Sequence, residues 1–363
     1  MSIFGKWPHR DKNFINFGES VWIFGAGKFG RSVANVILAQ GIKVNGFIQT
    51  SPTSSHLLGF PIITWNDLSK SDRRAPLIIG IFNRDSPLDK LVTIAKNSGF
   101  ERIILPWDIS EQFGSNLGWN YWLAGSNFLR SYSKDLNWLY ERLQDDVSRN
   151  CLERVVNFRL GLDLNYASFR HKSKQYFNEL TIPKLKGKKL DFLDGGAFNG
   201  DTLEQLFKIT KIHQAWLFEP DMQNFKNMVA KLNRDKLPGY CLPLGLSNCN
   251  ENIKFLGGTG EGAHIDRNGN DHITTVSIDD FLSGQKVDLV KLDIEGSEIR
   301  ALKGAIKTIS NFKPILALSC YHLPTDLWTL PRLIDKICKG YNFYLLQHYN
   351  NSFDLVLYGI PSE

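Results

Sequence analysis

The chain has 363 residues, with 43 basic and 37 acidic side chains for a net charge of +6; 42% of residues are hydrophobic and 22% charged. At about 150 residues per domain this predicts two domains with room for a connector, and it excludes disorder over most of the length, because enough apolar surface exists to offset chain entropy. The 30 glycines follow no three-residue period, which excludes a collagen-like chain. The mild positive charge suits an anionic ligand without calling for nucleic acid.

Position along the chain removes further classes. The most apolar early run, residues 21–39, is broken by Lys28, Arg31 and Asn35, whereas a membrane-spanning helix needs about 20 mostly apolar residues. The first stretch carries Lys6, His9, Arg10, Asp11, Lys12 and Glu19 around no apolar core, unlike a secretory signal. The cysteines, Cys151, Cys241, Cys249, Cys320 and Cys338, are odd in number and show no CxxC spacing. That argues against a disulfide framework and a thiolate zinc site, and predicts free thiols in a reducing cytoplasm.

Taken in order, residues 21–24 read as a buried strand that runs into Gly25-Ala26-Gly27-Lys28-Phe29-Gly30 and then a helix to Ala39, stopped by Gly41. Strands follow at 43–48, 77–82 and 102–105, with a helix at 88–97. Strands alternating with helices predict a parallel sheet, so residues 18–110 form a Rossmann-like α/β domain. Residues 111–180 read as a helical connector. Leu136, Leu139, Leu143 and Val147, then Leu152, Val155, Val156 and Leu160, recur at helical spacing. Trp119, Tyr121, Trp122, Phe128, Tyr132, Trp138 and Tyr140 crowd the same stretch; packing is the favoured role over stacking on sugar rings.

A second α/β series fills residues 181–363. Strands are expected at 190–193, 215–218, 240–244, 287–292, 314–319, 343–347 and 353–358, with helices at 221–232 and 328–339 and a β-hairpin excursion over 253–276. Asn350-Asn351-Ser352 signals a hairpin between the last two strands. The expected outcome is a mostly parallel sheet closed by an antiparallel pair.

Three strand ends carry the chemistry. The first glycine loop fits a phosphate-binding turn in its context of strand before and helix after. However, the next strand ends at Gln49-Thr50, where a dinucleotide site needs an acid for the ribose; poor binding of NAD and NADP is expected. The second loop, Asp194-Gly195-Gly196-Ala197-Phe198-Asn199-Gly200-Asp201-Thr202, also joins strand to helix, with Asp201 or Thr202 as the expected N-cap. Here the following strand does end in an acid, Glu219, placed to accept both ribose hydroxyls. The looser loop suits a nucleoside without a pyrophosphate, such as S-adenosylmethionine. The third end is Lys291-Leu292-Asp293-Ile294-Glu295-Gly296-Ser297-Glu298. Alternation turns Lys291 and Asp293 to one side; Glu295 and Glu298 either join the site or favour the next helix through its dipole. His322, after the fifth strand, titrates nearest neutrality and is the first candidate for a general base, ahead of Asp293. No metal site is assigned from spacing alone.

Over residues 170–360 these motifs, in this order, resemble the FkbM-type S-adenosylmethionine-dependent methyltransferases. The resemblance rests on the 194–202 loop, Phe218-Glu219-Pro220, Gly245-Leu246-Ser247, residues 275–281, the 291–298 run before Leu302-Lys303-Gly304-Ala305, Tyr321-His322, and residues 344–358. It implies a class I methyltransferase fold, a seven-stranded sheet with an antiparallel last pair. It also implies methylation of a hydroxyl on a sugar, glycolipid or polyketide. By position it implies that Asp194, Gly196 and Gly200 line the cofactor loop, that Glu219 holds the ribose, that Leu246 and Ser247 lie near the adenine, and that Asp293 and Glu295 sit beside the methionine end and the acceptor. The tip Gly257-Gly258-Thr259-Gly260-Glu261-Gly262 is richer in glycine than the family pattern. The rival readings are a non-catalytic nucleotide-binding or scaffold protein and an NAD-dependent sugar-modifying enzyme acting through the first domain.

Overall fold

The computed structural model describes residues 4, 7–9, 11–165, 170–258 and 260–362. Lys6, Arg10, Thr259 and the terminal residue 363 lie outside the described residues. The chain gathers into two compact units, Met1–Trp138 with Asn150–Arg170 and Tyr349–Phe353, and Leu139–Arg149 with His171–His348 and Asp354–Glu363. The segment 111–180 is thus divided between the units.

The first unit is built on β1 (Ser20–Phe24), β2 (Lys43–Ile48), β3 (His56–Leu57), β4 (Phe60–Ile63), β5 (Leu77–Ile79) and β6 (Ile103–Ile104), in the order β3-β4-β2-β1-β5-β6. All neighbours are parallel except the β3–β4 pair. That hairpin was not expected from the sequence. It turns on Leu58 and Gly59, both at positive φ, the geometry a two-residue hairpin turn requires. The helix Lys28–Ala39 buries Phe29, Val33 and Ile37, one face at four-residue spacing. β5 stops at Ile79, short of the expected 82, and a side chain on the next residue, Gly80, would meet Ile23 and the backbone of Gly30. A Cβ on Gly30 would lie 2.1 Å from Gly25 O, so this glycine lets the helix start press onto β1.

In the aromatic-rich stretch Trp122 is buried, Phe128 is exposed, and Trp119, Tyr121, Tyr132, Trp138 and Tyr140 are half-buried. Trp107 and Trp122 are buried and pack on each other and on Phe158, Trp122 also on Phe82, at 5.1–6.1 Å; Phe82 in turn meets Phe353 at 5.6 Å, and Arg159 covers Trp122. The expected helical stripe breaks at Val147, which is exposed, because one helix ends at Arg142 and the next starts at Asp146.

The second unit contains β7 (Lys189–Gly195), β8 (Lys211–Phe218), β9 (Tyr240–Leu242), β10 (Gly245–Leu246), β11 (Glu251–Leu256), β12 (His264–Ile265), β13 (Asp271–Val276), β14 (Leu289–Leu292), β15 (Ile315–Ser319), β16 (Tyr341–Gln347) and β17 (Leu355–Pro361). Seven of them form one sheet in the order β16-β17-β15-β14-β7-β8-β9. It is parallel from β15 through β9 and antiparallel at both pairings of β17, the architecture expected from the sequence. β14 and β15 are buried at every position, as strands covered on both faces must be. The single strand expected over 240–244 is two short ones: Pro243 has no N–H for the ladder, so the chain leaves the large sheet at Leu242 and pairs Gly245 and Leu246 with β13. The 253–276 excursion is correspondingly a second sheet, β10-β13-β11-β12.

In the first unit, Gly30→Ala is expected to destabilise by about 2 kcal/mol, the scale of overpacking. Gly27→Ala, where an added Cβ meets nothing within 4 Å, should cost under about 1 kcal/mol. Urea denaturation of both variants checks the contrast; equal losses would contradict it.

Candidate active site

In the seven-stranded sheet β7 lies inside, next to the middle strand β14. β8 and β9 extend from β7 to one side, β14 and β15 to the other. The connections therefore reverse direction at the carboxyl end of β7, where an open α/β sheet leaves a crevice for ligand. Asp194 and the glycine loop sit at that end, flanked by Glu219 after β8 and Asp293 after β14.

The loop is held from beneath. Lys291, buried on β14, donates through Nζ to Gly196 O at 2.6 Å and to Gly195 O at 3.2 Å, and pairs with Asp194 Oδ1 at 3.0 Å. Burial pushes Asp194 up to about 6 against the pull of Lys291. Burial also works against the Lys291 charge, yet Asp194 and Asp293 hold that ammonium above its ordinary range. The glycines follow from contact: a Cβ on Gly196 would lie 1.9 Å from Asp293 O, and one on Gly200 2.6 Å from Leu232. Gly200, at φ 78°, is itself the N-cap of the helix Asp201–Phe207, with no side-chain cap; the expected cap at Asp201 or Thr202 is corrected, because the chain must turn left-handed one residue earlier.

Glu219 is buried, and its carboxylate accepts the Phe198 N–H at 2.8 Å and the Asp221 N–H at 3.0 Å. It thereby ties the end of β8 to the glycine loop. Burial pushes it up to about 7 in spite of those donors. Asp221, which sequence reasoning missed, caps the helix Met222–Asp235 through Oδ1 and takes the Gly258 N–H on Oδ2 at 2.6 Å. The signal was present as an Asp directly after Glu-Pro at a helix start. Asn224 adds a bond to Gly260 O, so the glycine-rich tip is docked beside the β8 end.

Leu246 and Ser247 are fully buried. Leu246 lies against the Gly195 backbone, and Ser247 spends its N–H on Val276 O. Gly304 has a reason of its own: a Cβ there would lie 2.2 Å from Ser247 O.

On the other flank Asp293 is half-buried, its Oδ2 accepting from Tyr176 OH at 2.8 Å and its Oδ1 from Tyr321 OH at 3.3 Å. Burial opposes its charge, but Lys291 and His322 hold it below the ordinary carboxylate range. Burial first, then Asp293, keeps both tyrosines protonated, well above their usual titration. Tyr176 lies 117 residues from Asp293, and no local pattern announced it. His322 is fully buried. Its Nδ1 is 2.8 Å from Glu298 Oε1, and its Nε2 is 3.3 Å from Asp293 and 3.5 Å from Glu295. Burial lowers its affinity for a proton, but Glu298 and Glu295 outweigh that and raise it well above 6.5. His322, the first candidate for a general base, thus sits among carboxylates that favour its protonated form. Glu295 adopts φ 53°, a left-handed conformation that costs a non-glycine residue free energy, and burial raises its pKa. Glu298 also accepts the Ile294 N–H at 2.8 Å, so it both stabilises the turn and grips the histidine.

Residues 194–345 match the family model described as the methyltransferase FkbM domain. The chain carries an FkbM methyltransferase domain. A crystal structure of the methyltransferase FkbM from Methylobacillus flagellatus KT superposes with a TM-score of 0.76 at 25% identity, covering 94% of this chain and 90% of that one. A 16S rRNA methyltransferase of T. Thermophilus, solved with AdoMet and guanosine, is 11% identical with a TM-score of 0.31, over 96% of this chain and 89% of its own. Comparison with curated proteins gives no match. Within the FkbM domain the matched span opens at Asp194 and takes in Glu219, Asp293 and His322. No helix among the described residues is long and apolar enough to cross a membrane.

Two outcomes follow for the FkbM domain. Lys291→Met strands a buried Asp194 and should cost about 3–5 kcal/mol. Adding Asp194→Asn should recover part of that loss, and a double-mutant cycle by chemical denaturation with no coupling would contradict the pair. Glu219, with a folded pKa of about 7 against 4.5, contributes stability that is complete below about pH 4.5 and is lost as pH rises through about 7. Relative to wild type, Glu219→Gln should gain up to about 3 kcal/mol between those limits; a pH-independent difference would refute the assignment.

Proposed function

We propose that the chain transfers the methyl group of S-adenosylmethionine to a hydroxyl oxygen of a sugar, glycolipid or related small acceptor. The observation that carries this reading is the pair of carboxylates flanking one glycine loop. Glu219 stands after β8 with its two oxygens tied to loop and helix, and Asp293 stands after β14, open enough to face a ligand. In this reading the loop from Asp194 through Gly200 seats the cofactor, Glu219 accepts the ribose hydroxyls, Leu246 and Ser247 border the adenine, and Asp293 and Glu295 lie toward the methionine end and the acceptor.

The cofactor supplies a sulfonium with a neutral leaving group. The acceptor oxygen forms a C–O bond as the C–S bond breaks in line, and the hydroxyl proton must leave. Positioning can supply much of the acceleration. Because the carboxylates around His322 favour its protonated form, this reading assigns the proton to Asp293, the second candidate. A carboxylate of low pKa suffices because the hydroxyl becomes strongly acidic as its oxygen donates to carbon. Tyr176 and Tyr321 hold Asp293 in place and stabilise its charge before transfer. The first unit retains the glycine turn, with Gln49 where a ribose acid would stand, and an accessory role fits it better than NAD chemistry.

Calorimetry with S-adenosylmethionine tests the cofactor. Glu219→Ala should weaken binding by about 1.5–3 kcal/mol, and unchanged affinity would sink the ribose assignment. With an acceptor in hand, Asp293→Asn should lower turnover at least about 100-fold while cofactor affinity holds. Retained turnover would remove Asp293 from the proton path.

A further inference from the structure

We propose that Asp293, Glu295 and His322 form a binding site for one divalent transition-metal ion of the manganese or zinc class, with Glu298 as the outer carboxylate that orients the imidazole. The inference goes beyond the methyl-transfer reading and does not depend on it.

One ligand atom from each of the three residues falls within 4.8 Å of the others. The separations from His322 Nε2 are 3.3 Å to Asp293 Oδ1 and 3.5 Å to Glu295 Oε1. They are the spacing of neighbouring ligands around an ion about 2.0–2.2 Å from each in tetrahedral geometry. The ring is set for ligation: Glu298 takes the Nδ1 proton at 2.8 Å, which directs Nε2 at the carboxylates. A buried carboxylate behind a metal-bound histidine is the usual means of fixing its tautomer and orientation.

A second observation is independent of the spacing. Glu295 Oε2, on one of the three ligand residues, is a buried oxygen with no hydrogen-bond partner. Carboxylate oxygens are rarely left so. The cluster holds three carboxylates against one imidazolium, while Lys291 is committed to Asp194 and the loop carbonyls. A cation at the shared focus satisfies that excess. Binding releases the Nε2 proton to solvent, since a ligating histidine must be neutral. One imidazole with two carboxylates suits manganese or zinc better than magnesium or calcium, which favour all-oxygen sets. The ligands leave at least one position of such an ion for water or an acceptor oxygen.

The test uses the full-length chain, stripped with EDTA, desalted and titrated with manganese(II) chloride. Binding is read from loss of the free-ion electron paramagnetic resonance signal, with zinc chloride as competitor. The expected result is close to one ion per chain, displaced by zinc, with a nitrogen coupling from a ligated imidazole in the bound spectrum. Glu295→Gln should weaken binding at least about 10-fold and Glu298→Gln about 10–100-fold, whereas Asp235→Asn, on the exposed end of another helix, should leave it unchanged. Far fewer ions than chains, or a bound spectrum without nitrogen coupling, would overturn the proposal on the unmodified protein. Uptake unchanged in both Glu variants would overturn it as well. Titration of S-adenosylmethionine in EDTA reads the cofactor assignment separately.

Discussion

The second unit depends on one buried cation. Lys291 rises from the middle of β14 into the end of β7, where Asp194 neutralises it and two loop carbonyls take its protons. The pair alone is weak evidence for stability, because two charges must leave water to form it. What the ammonium adds is direction. Gly195 and Gly196 turn their carbonyls down toward it, so the loop's upper side is left to a ligand. The same strand then places Asp293 two residues on, within the field of that ammonium, which helps keep the carboxylate ionised.

That arrangement explains the glycines as contacts. Gly196 touches the Asp293 carbonyl, Gly200 the Leu232 side chain, and Gly195 both Leu246 and Leu292. A loop drawn this close to its neighbours has no room for a Cβ. The pattern of Gly at 195, 196 and 200 therefore reports packing under the loop as much as ligand approach above it.

Strand ends were the most legible part of the sequence, because a buried run that stops at an acid or glycine marks both the element and its chemistry. Asp194, Glu219 and Asp293 were each visible that way, and a mostly parallel sheet followed from alternation of strands and helices. Boundaries were less legible. Pro243 split one apparent strand between two sheets, and the short hairpin at Leu58 and Gly59 carries too little apolar pattern to stand out. Residues brought in from afar were not legible at all. Tyr176 reaches Asp293 from before β7, and Asp221 serves helix cap and glycine tip together. Such contacts are set by tertiary packing, which no local window contains.

His322 shows most clearly why residue type alone misleads. A histidine after a strand, near an acid, reads as a base because its ordinary pKa lies near neutrality. Its neighbours bear on that reading. Glu298 comes from the start of the helix after β14, Glu295 from the turn before it and Asp293 from the strand end. Three carboxylates from one eight-residue motif thus converge on a ring contributed by the next strand. That field favours the protonated imidazole. In the proposed reaction this moves the weight from histidine to Asp293, the half-buried acid that the hydroxyls of Tyr176 and Tyr321 hold.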